Sequence, residues 1–379
     1  METERRLDPE LLEAPASYRL KHFKNYTMGH PLLKESYAKL MNAIHEPAGT
    51  MMIFVVGPAG VGKTTLLQRV EQSLIKELLP ILATERGRIP VVNVEAIGPD
   101  FGVWSWKDFY KRLLIAFDEP LIEHKILPER PRSRGGAAEL RYALEQTIRH
   151  RQPAAILVDE AQHIAKTASG RKLQDQLDCI KSLANMTKTV HALFGSYELL
   201  AFRNLSGQLS RRSIYIPFPR YRADQERDVL AFKSVIRTFE LNIPLKEKAA
   251  LVEHWEYLYE RSIGCVGVLK DWLSRALADV FNKGKESLGL KDLERHAFSV
   301  SQCQTMLSEA IHGEKELEET AGSREQLRNL LRIEMGGAAK SEKIEGNSSK
   351  LNHTPSTRNR RVGVPNPKRY PIGIEPNDR

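Results

Sequence analysis

Apolar residues along this chain recur in two rhythms. Short unbroken runs, MMIFVVG (51–57), PVVNVE (90–95), AAILVDE (154–160) and TVHALFG (189–195), have the length of buried strands, and IYIPF (214–218) adds a fifth. Between them the spacing lengthens to that of a helix. Leu32, Leu33, Tyr37, Leu40, Met41 and Ile44 follow His30-Pro31, and Leu66, Leu67, Val70 and Leu74 mark one face of a helix after residue 62. Fully apolar strands alternating with helices predict an α/β fold: a parallel five-stranded sheet between helices.

After Pro217 and Pro219 the strand rhythm ends. From about Asp224 to Ala310 the pattern is helical, in ERDVLAFKSVI, KEKAALVEHWEYLYERS, VGVLKDWLSRALADVF and LKDLERHAFSVSQCQTMLSEAI, which predicts a small all-helical lid. One more helix is expected from a capping box at Ser323-Arg-Glu-Gln326 through Leu327, Leu330 and Leu331. Beyond Met335 large apolar side chains become too few to offset the entropy of ordering, so a disordered tail is expected. The expected organisation is an N-terminal arm (1–26), an αβα core (27–220), the lid (221–312), a C-terminal helix (313–335) and the tail (336–379).

A length of 379 residues exceeds what one hydrophobic core usually serves, in keeping with a core plus a smaller unit. The net charge of +9 invites a polyanion, yet much of it sits in the tail, where residues 337–379 hold nine Lys/Arg against four Asp/Glu. No run approaches the roughly 18 apolar residues of a membrane span, and METERRLDPELLEAP lacks the apolar centre of a secretory signal; the expectation is a cytoplasmic protein with no membrane partner. Cys179, Cys265 and Cys303 have neither metal-ligand spacing nor a disulfide pattern and read as reduced thiols.

Chemistry concentrates where the first strand ends. In Gly57-Pro58-Ala59-Gly60-Val61-Gly62-Lys63-Thr64-Thr65 the glycines let backbone N–H groups turn inward around phosphate oxygens at a helix N-terminus, where the dipole also favours negative charge. Lys63 is expected on the β- and γ-phosphates of ATP and Thr64 on Mg²⁺. Ile156-Leu157-Val158-Asp159-Glu160 delivers two carboxylates to the end of a buried strand: Asp159 to support the metal, Glu160 to polarise the attacking water. A glutamate directly after the metal aspartate favours hydrolysis over transfer to a small acceptor. Ser196 faces the γ-phosphate if its strand lies between those of the P-loop and Asp159, and is otherwise a plain loop serine. Arg211 and Arg212, before the closing strand, suit a role in a neighbouring subunit's site, or are a solvated basic pair.

These residues resemble the AAA+ P-loop ATPases and, within them, the TnsC/TniB family of transposition regulators of Tn7-like elements. The similarity rests on GPAGVGKTT, VDEAQHI, IKSLANMTKTVHALFGSYELL (180–200), LSRRSIYIPFPRY (209–221) and GCVGVLKDWLSRALA (264–278), spanning roughly residues 25–300. It implies an ATP-dependent homo-oligomer, a ring or helical filament, on double-stranded DNA. Its partners are then a transposase and a target selector, which is a protein or an RNA-guided complex. Lys63, Thr64, Asp159, Glu160, Ser196 and Arg211/Arg212 inherit the Walker A, Walker B, sensor-1 and arginine-finger roles. Where many relatives carry a lid arginine after the GCVG block, this chain has Val268, and Lys270 lies on a different helix face.

The resemblance also implies DNA contacts from basic residues before and just after Asp159. Lys107, Lys111 and Arg112, then Arg130, Arg132 and Arg134, then Lys166, Arg171 and Lys172 fall in those windows. As a set they could track phosphates, although singly each is more often a solvated charge, and no base-reading motif accompanies them. Two other classes compete. A secretion- or envelope-associated ATPase acting on protein is expected to carry a membrane segment or wall-binding module. An origin-loading ATPase is expected to carry a winged-helix reader, for which 224–310 is short.

Overall fold

Each apolar run forms a strand in the computed structural model: β1 (Met52–Val56), β2 (Val91–Glu95), β3 (Ala155–Asp159), β4 (Val190–Gly195) and β5 (Ser213–Pro217). They pair in parallel in the order β2-β3-β4-β1-β5. The structure describes residues 7–98, 102, 104–119, 136–166, 171–203, 205, 207–319 and 321–333. They fall in two units, Met1–Glu318 and Glu319–Arg379.

In the first unit, helices α1 (Pro9–Glu13), α2 (Ala16–Asn25) and α3 (Pro31–His45) precede the sheet. Helix α4 (Lys63–Leu82) follows β1, and α5 (Trp106–Ala116) and α6 (Gly136–Arg151) lie between β2 and β3. Helices α7 (Gln162–Lys166) and α8 (Arg171–Thr187) connect β3 to β4, and α9 (Gly207–Arg212) leads into β5. Because successive strand side chains face opposite ways, the sheet builds two cores. Ile53, Val55, Leu157, Ala192 and Phe194 pack on α3 and α4. Met52, Phe54, Val56, Ile156, Val158 and Leu193 pack on α5, α6 and α8. Burial on both faces is the reason the central strands β1, β3 and β4 read as unbroken apolar runs.

The lid holds α10 (Glu226–Asn242), α11 (Trp255–Ser262), α12 (Val266–Asn282), α13 (Leu290–His296) and α14 (Val300–Leu317). The expected helix over 246–262 forms only from Trp255, after a short 3₁₀ turn at Val252–His254. Upstream the backbone is extended: Glu247 N–H donates to Glu286 O at 3.0 Å, so its hydrogen bonds go to a neighbouring loop rather than along a helix. The expected stretch 290–311 is broken at Ala297, since Ser299 and Gln302 form a capping box that starts α14 afresh. Helix α14 runs through the expected boundary at 312/313 to Leu317.

The segment expected as an arm carries α1 and α2. Phe23 of α2 is fully buried among Phe239, Trp272 and Leu277 of the lid. Arg19 is bidentate to Glu286, at 2.8 and 2.9 Å, and also donates to Pro244 O at 3.2 Å. In the second unit α15 (Ala321–Leu330) begins two residues ahead of the expected Ser323 cap and exposes Leu327 and Leu330. The expected disordered tail from residue 336 onward lies outside the described residues. Among the described residues no helix is long and apolar enough to cross a membrane.

Candidate active site

The loop between β1 and α4 is shaped by positions where a side chain has no room. A Cβ on Gly57 would stand 2.1 Å from Phe218 O, while Gly60 and Gly62 take φ of 74° and 112°, in the region that disfavours L side chains. Pro58, Ala59 and Val61 complete the turn, and Gly62 caps α4, so that Lys63, Thr64 and Thr65 form its first turn. Lys63 Nζ folds back to donate to Gly57 O at 3.0 Å and Pro58 O at 2.9 Å. Burial pushes its pKa down, with Glu160 and Asp159 pulling the other way.

Thr64 Oγ1 donates to Asp159 Oδ2 at 2.8 Å, and Asp159 Oδ1 accepts the Glu160 N–H at 2.9 Å. A hydroxyl and a carboxylate this close are a pair of hard oxygen donors, the set that Mg²⁺ prefers when phosphate and water oxygens complete its shell. Glu160 takes φ of 52°, a left-handed conformation uncommon outside glycine, and sits where β3 ends. Gln162 Nε2 donates to its carboxylate, and Gln162 Oε1 accepts the Ser196 N–H at 3.1 Å. Strand β4 does lie between β1 and β3, bringing Ser196 to this corner, but the Ser196 hydroxyl donates to Glu198 Oε2 at 3.0 Å. Glu198 in turn pairs with Lys166 at 3.1 Å.

The lid touches the loop directly. Val268 N–H, in the first turn of α12, donates to Gly60 O at 3.1 Å, and a Cβ on Gly267 would stand 2.4 Å from that oxygen. Gly264 (φ 75°) allows the matching approach to Tyr221 O, where a Cβ would meet it at 2.2 Å. The two glycines of GCVG are therefore contact points, and Val268 brings no charge. Cys265, its thiol pushed up to about 12 by burial, feels both Arg220 and Lys63. Arg220 is held by Glu314 of α14 at 3.0 Å. A cavity of 890 Å³ between Tyr197–Phe202 and α14 opens beside Pro58 and Ala59 of the loop and is of ligand size, and a second of 520 Å³ lies between Pro31 and Arg222.

Lys63, Thr64, Asp159, Glu160 and Ser196 thus converge. Arg211 and Arg212 do not: Met52 is in register with Ser213 and Val56 with Pro217, which leaves both arginines at the opposite end of the sheet from Gly57. Arg212 donates to Asn185 at 2.9 Å, and Arg211 is exposed. Lys107 and Lys111 stand one turn apart on α5, Arg112 is tied to Asp108 at 2.6 Å, and Arg171 and Lys172 are exposed at the start of α8. Arg130, Arg132 and Arg134 lie outside the described residues. Sequence reasoning missed Gln162, although it stands two residues after Glu160, and missed the pairing of Arg220 with Glu314.

No curated protein matches the chain. Among solved structures it is similar to the ORC2 protein of Aeropyrum pernix in its ADP form, with 15% identity over 74% of this chain and 72% of that one and a TM-score of 0.49. It is also similar to a Walker-type ATPase of Pyrococcus abyssi, at 17% identity over 79% and 76% and a TM-score of 0.41. The Drosophila ORC bound to DNA gives 13% over 78% and 68%, with a TM-score of 0.45. Residues 46–202 match the family described as AAA domain, a span that runs from before β1 to the turn after β4. The parallel five-stranded order and the loop at the end of β1, both largely within this segment, are those of the AAA+ P-loop fold.

Proposed function

We propose that this chain is an ATP-dependent regulator of DNA transposition of the TnsC/TniB kind. It binds and hydrolyses ATP with Mg²⁺, assembles with further copies on double-stranded DNA, and links a target-site selector to a transposase. The observation that carries the enzymatic part is the convergence of Lys63, the Thr64–Asp159 pair at 2.8 Å and Glu160 at the end of the P-loop strand and its neighbours. The transposition part is supported by the sequence blocks at 180–200 and 264–278 and by the basic residues of α5 and α8.

Lys63, already poised on carbonyl oxygens, exchanges them for β- and γ-phosphate oxygens. Thr64 and Asp159 are the residues that would hold Mg²⁺, which when bound neutralises phosphate charge. Glu160 takes a proton from water as the water oxygen bonds to the γ-phosphorus and the bond to the bridging oxygen breaks, leaving ADP and inorganic phosphate. Arg211 or Arg212, remote from its own site, reaches the site of the next copy. Negative-stain imaging of the purified protein tests the assembly. Rings or filaments are expected only when duplex DNA and a non-hydrolysable ATP analogue are both present, and particles of unchanged size under that condition overturn it.

A further inference from the structure

Gln162 is 7% exposed and engaged at both ends of its amide. One end donates to Glu160 Oε2 and the other accepts the N–H of Ser196. On the side of Gly195 there is no spare room: a Cβ there would stand 2.5 Å from Gln162 Oε1 and 2.7 Å from Leu199 Cδ1. The backbone on the other side is fixed as well, since Ala161 N–H donates to Phe194 O at 2.8 Å. A single amide thus ties the carboxylate after β3 to the backbone after β4, the two strand ends that flank the position of a transferred phosphate.

We propose that Gln162 is a positioning residue for hydrolysis. It holds Glu160 by one carboxylate oxygen and leaves the other free to take the proton of the attacking water. Because its far end is fixed on Ser196, movement of that loop on phosphate binding is transmitted to the base. This rests on the ATPase reading of the site.

The test compares full-length wild type with Glu160→Gln, Gln162→Met and Gln162→Asn, following steady-state ATP turnover, binding of a fluorescent ATP analogue and thermal midpoint. Methionine fills the same volume without either hydrogen bond, and asparagine keeps the amide but is one methylene too short to span both partners. Both should lower kcat by about a hundredfold, the scale of a misplaced reactive group, with analogue affinity within about twofold because no ligand contact is lost. Wild-type kcat in both Gln162→Met and Gln162→Asn overturns the inference. A wild type that does not hydrolyse ATP, or a Glu160→Gln variant as fast as wild type, instead overturns the reading of the site on which the inference rests. Wild type active, Glu160→Gln inactive and Gln162→Met fully active confines the failure to Gln162.

Discussion

In the proposed reaction Lys63 and Glu160 meet the same nucleotide at different stages, and their substitutions should separate. Without its ammonium, Lys63→Ala leaves the phosphates uncompensated in a half-buried loop and should lose binding of a fluorescent ATP analogue. Glu160→Gln keeps shape and hydrogen-bonding capacity but cannot take a proton. It should bind the analogue normally and lose turnover by about 10²- to 10⁴-fold, the usual contribution of a general base. A second residue-scale expectation concerns stability. Burial holds His30 and His191 at about 4, below the ordinary 6.5. His191 donates from Nδ1 to Thr189 O at 2.9 Å, and its Nε2 is buried without a partner, so the ring is neutral in the fold. Folded pKa values below the unfolded one mean that the unfolded chain binds more protons between pH 6.5 and 4. Stability is full above that window and falls through it, by up to about 3 kcal/mol for each histidine. Urea midpoints measured from pH 7.5 to 4.5 should show this, and His191→Leu, which has no proton to take up, should flatten the slope.

At the scale of elements, the contact between α12 and the P-loop ties the lid to the proposed nucleotide site. Gly267→Ala inserts a methyl 2.4 Å from Gly60 O, a backbone atom that cannot swing aside. The lid helix must then retreat, at a cost of about 1–3 kcal/mol for an overpacked contact. ATP-analogue affinity should fall about tenfold, as 1.4 kcal/mol of that cost is released on separation. Gly87→Ala, where a Cβ meets nothing within 4 Å, is the control and should bind as wild type does. The elements differ in how far the sequence revealed them. Strands β1, β3 and β4 were legible because each is buried on both faces and so unbroken in apolar residues, the edge strands β2 and β5 because apolar side chains still recur along their partly exposed runs, and the P-loop because glycine spacing reports backbone shape. Helix limits in the lid were less so: residues 246–251 carry a helical pattern, but the extended backbone finds its partners on the loop at Glu286. In the site, Lys63, Thr64, Asp159 and Glu160 announce themselves by chemistry. The roles of Gln162, Arg220 and Glu314 depend on contacts between distant segments, which no local pattern encodes.

At the scale of the whole molecule, two properties of an assembly follow from where charges stand. DNA binding through phosphates alone releases counterions, so the logarithm of affinity should fall with that of salt by about 0.9 per contact. Lys107→Ala with Lys111→Ala should flatten that slope by about two units and weaken binding equally on unrelated sequences. Adding Lys166→Ala should change the slope little, since Lys166 is already paired with Glu198 at 3.1 Å. The other property is turnover shared between copies. Arg211 and Arg212 precede β5, whose register with β1 sets them roughly 15 Å, a five-residue strand, from the loop at Gly57. They stand away from the site of their own chain, and in the head-to-tail assembly proposed above one copy's arginines face the next copy's phosphates. Arg211→Ala should therefore bind the ATP analogue as wild type does and hydrolyse slowly, because an arginine acting in trans is worth about 10³- to 10⁵-fold in turnover. Glu160→Gln should be inactive for the complementary reason: it lacks the base but presents both arginines. When the two inactive proteins are mixed in equal amounts, each place where an Arg211→Ala site meets a Glu160→Gln neighbour regains a base and an arginine. Random assembly makes such places about a quarter of all interfaces. Turnover should rise well above that of either protein alone, peak near equal proportions and vanish when assembly on DNA is prevented. If no ratio restores activity to Arg211→Ala, Arg212→Ala should be mixed in the same way, and failure of both assigns the pair to the edge of the sheet alone.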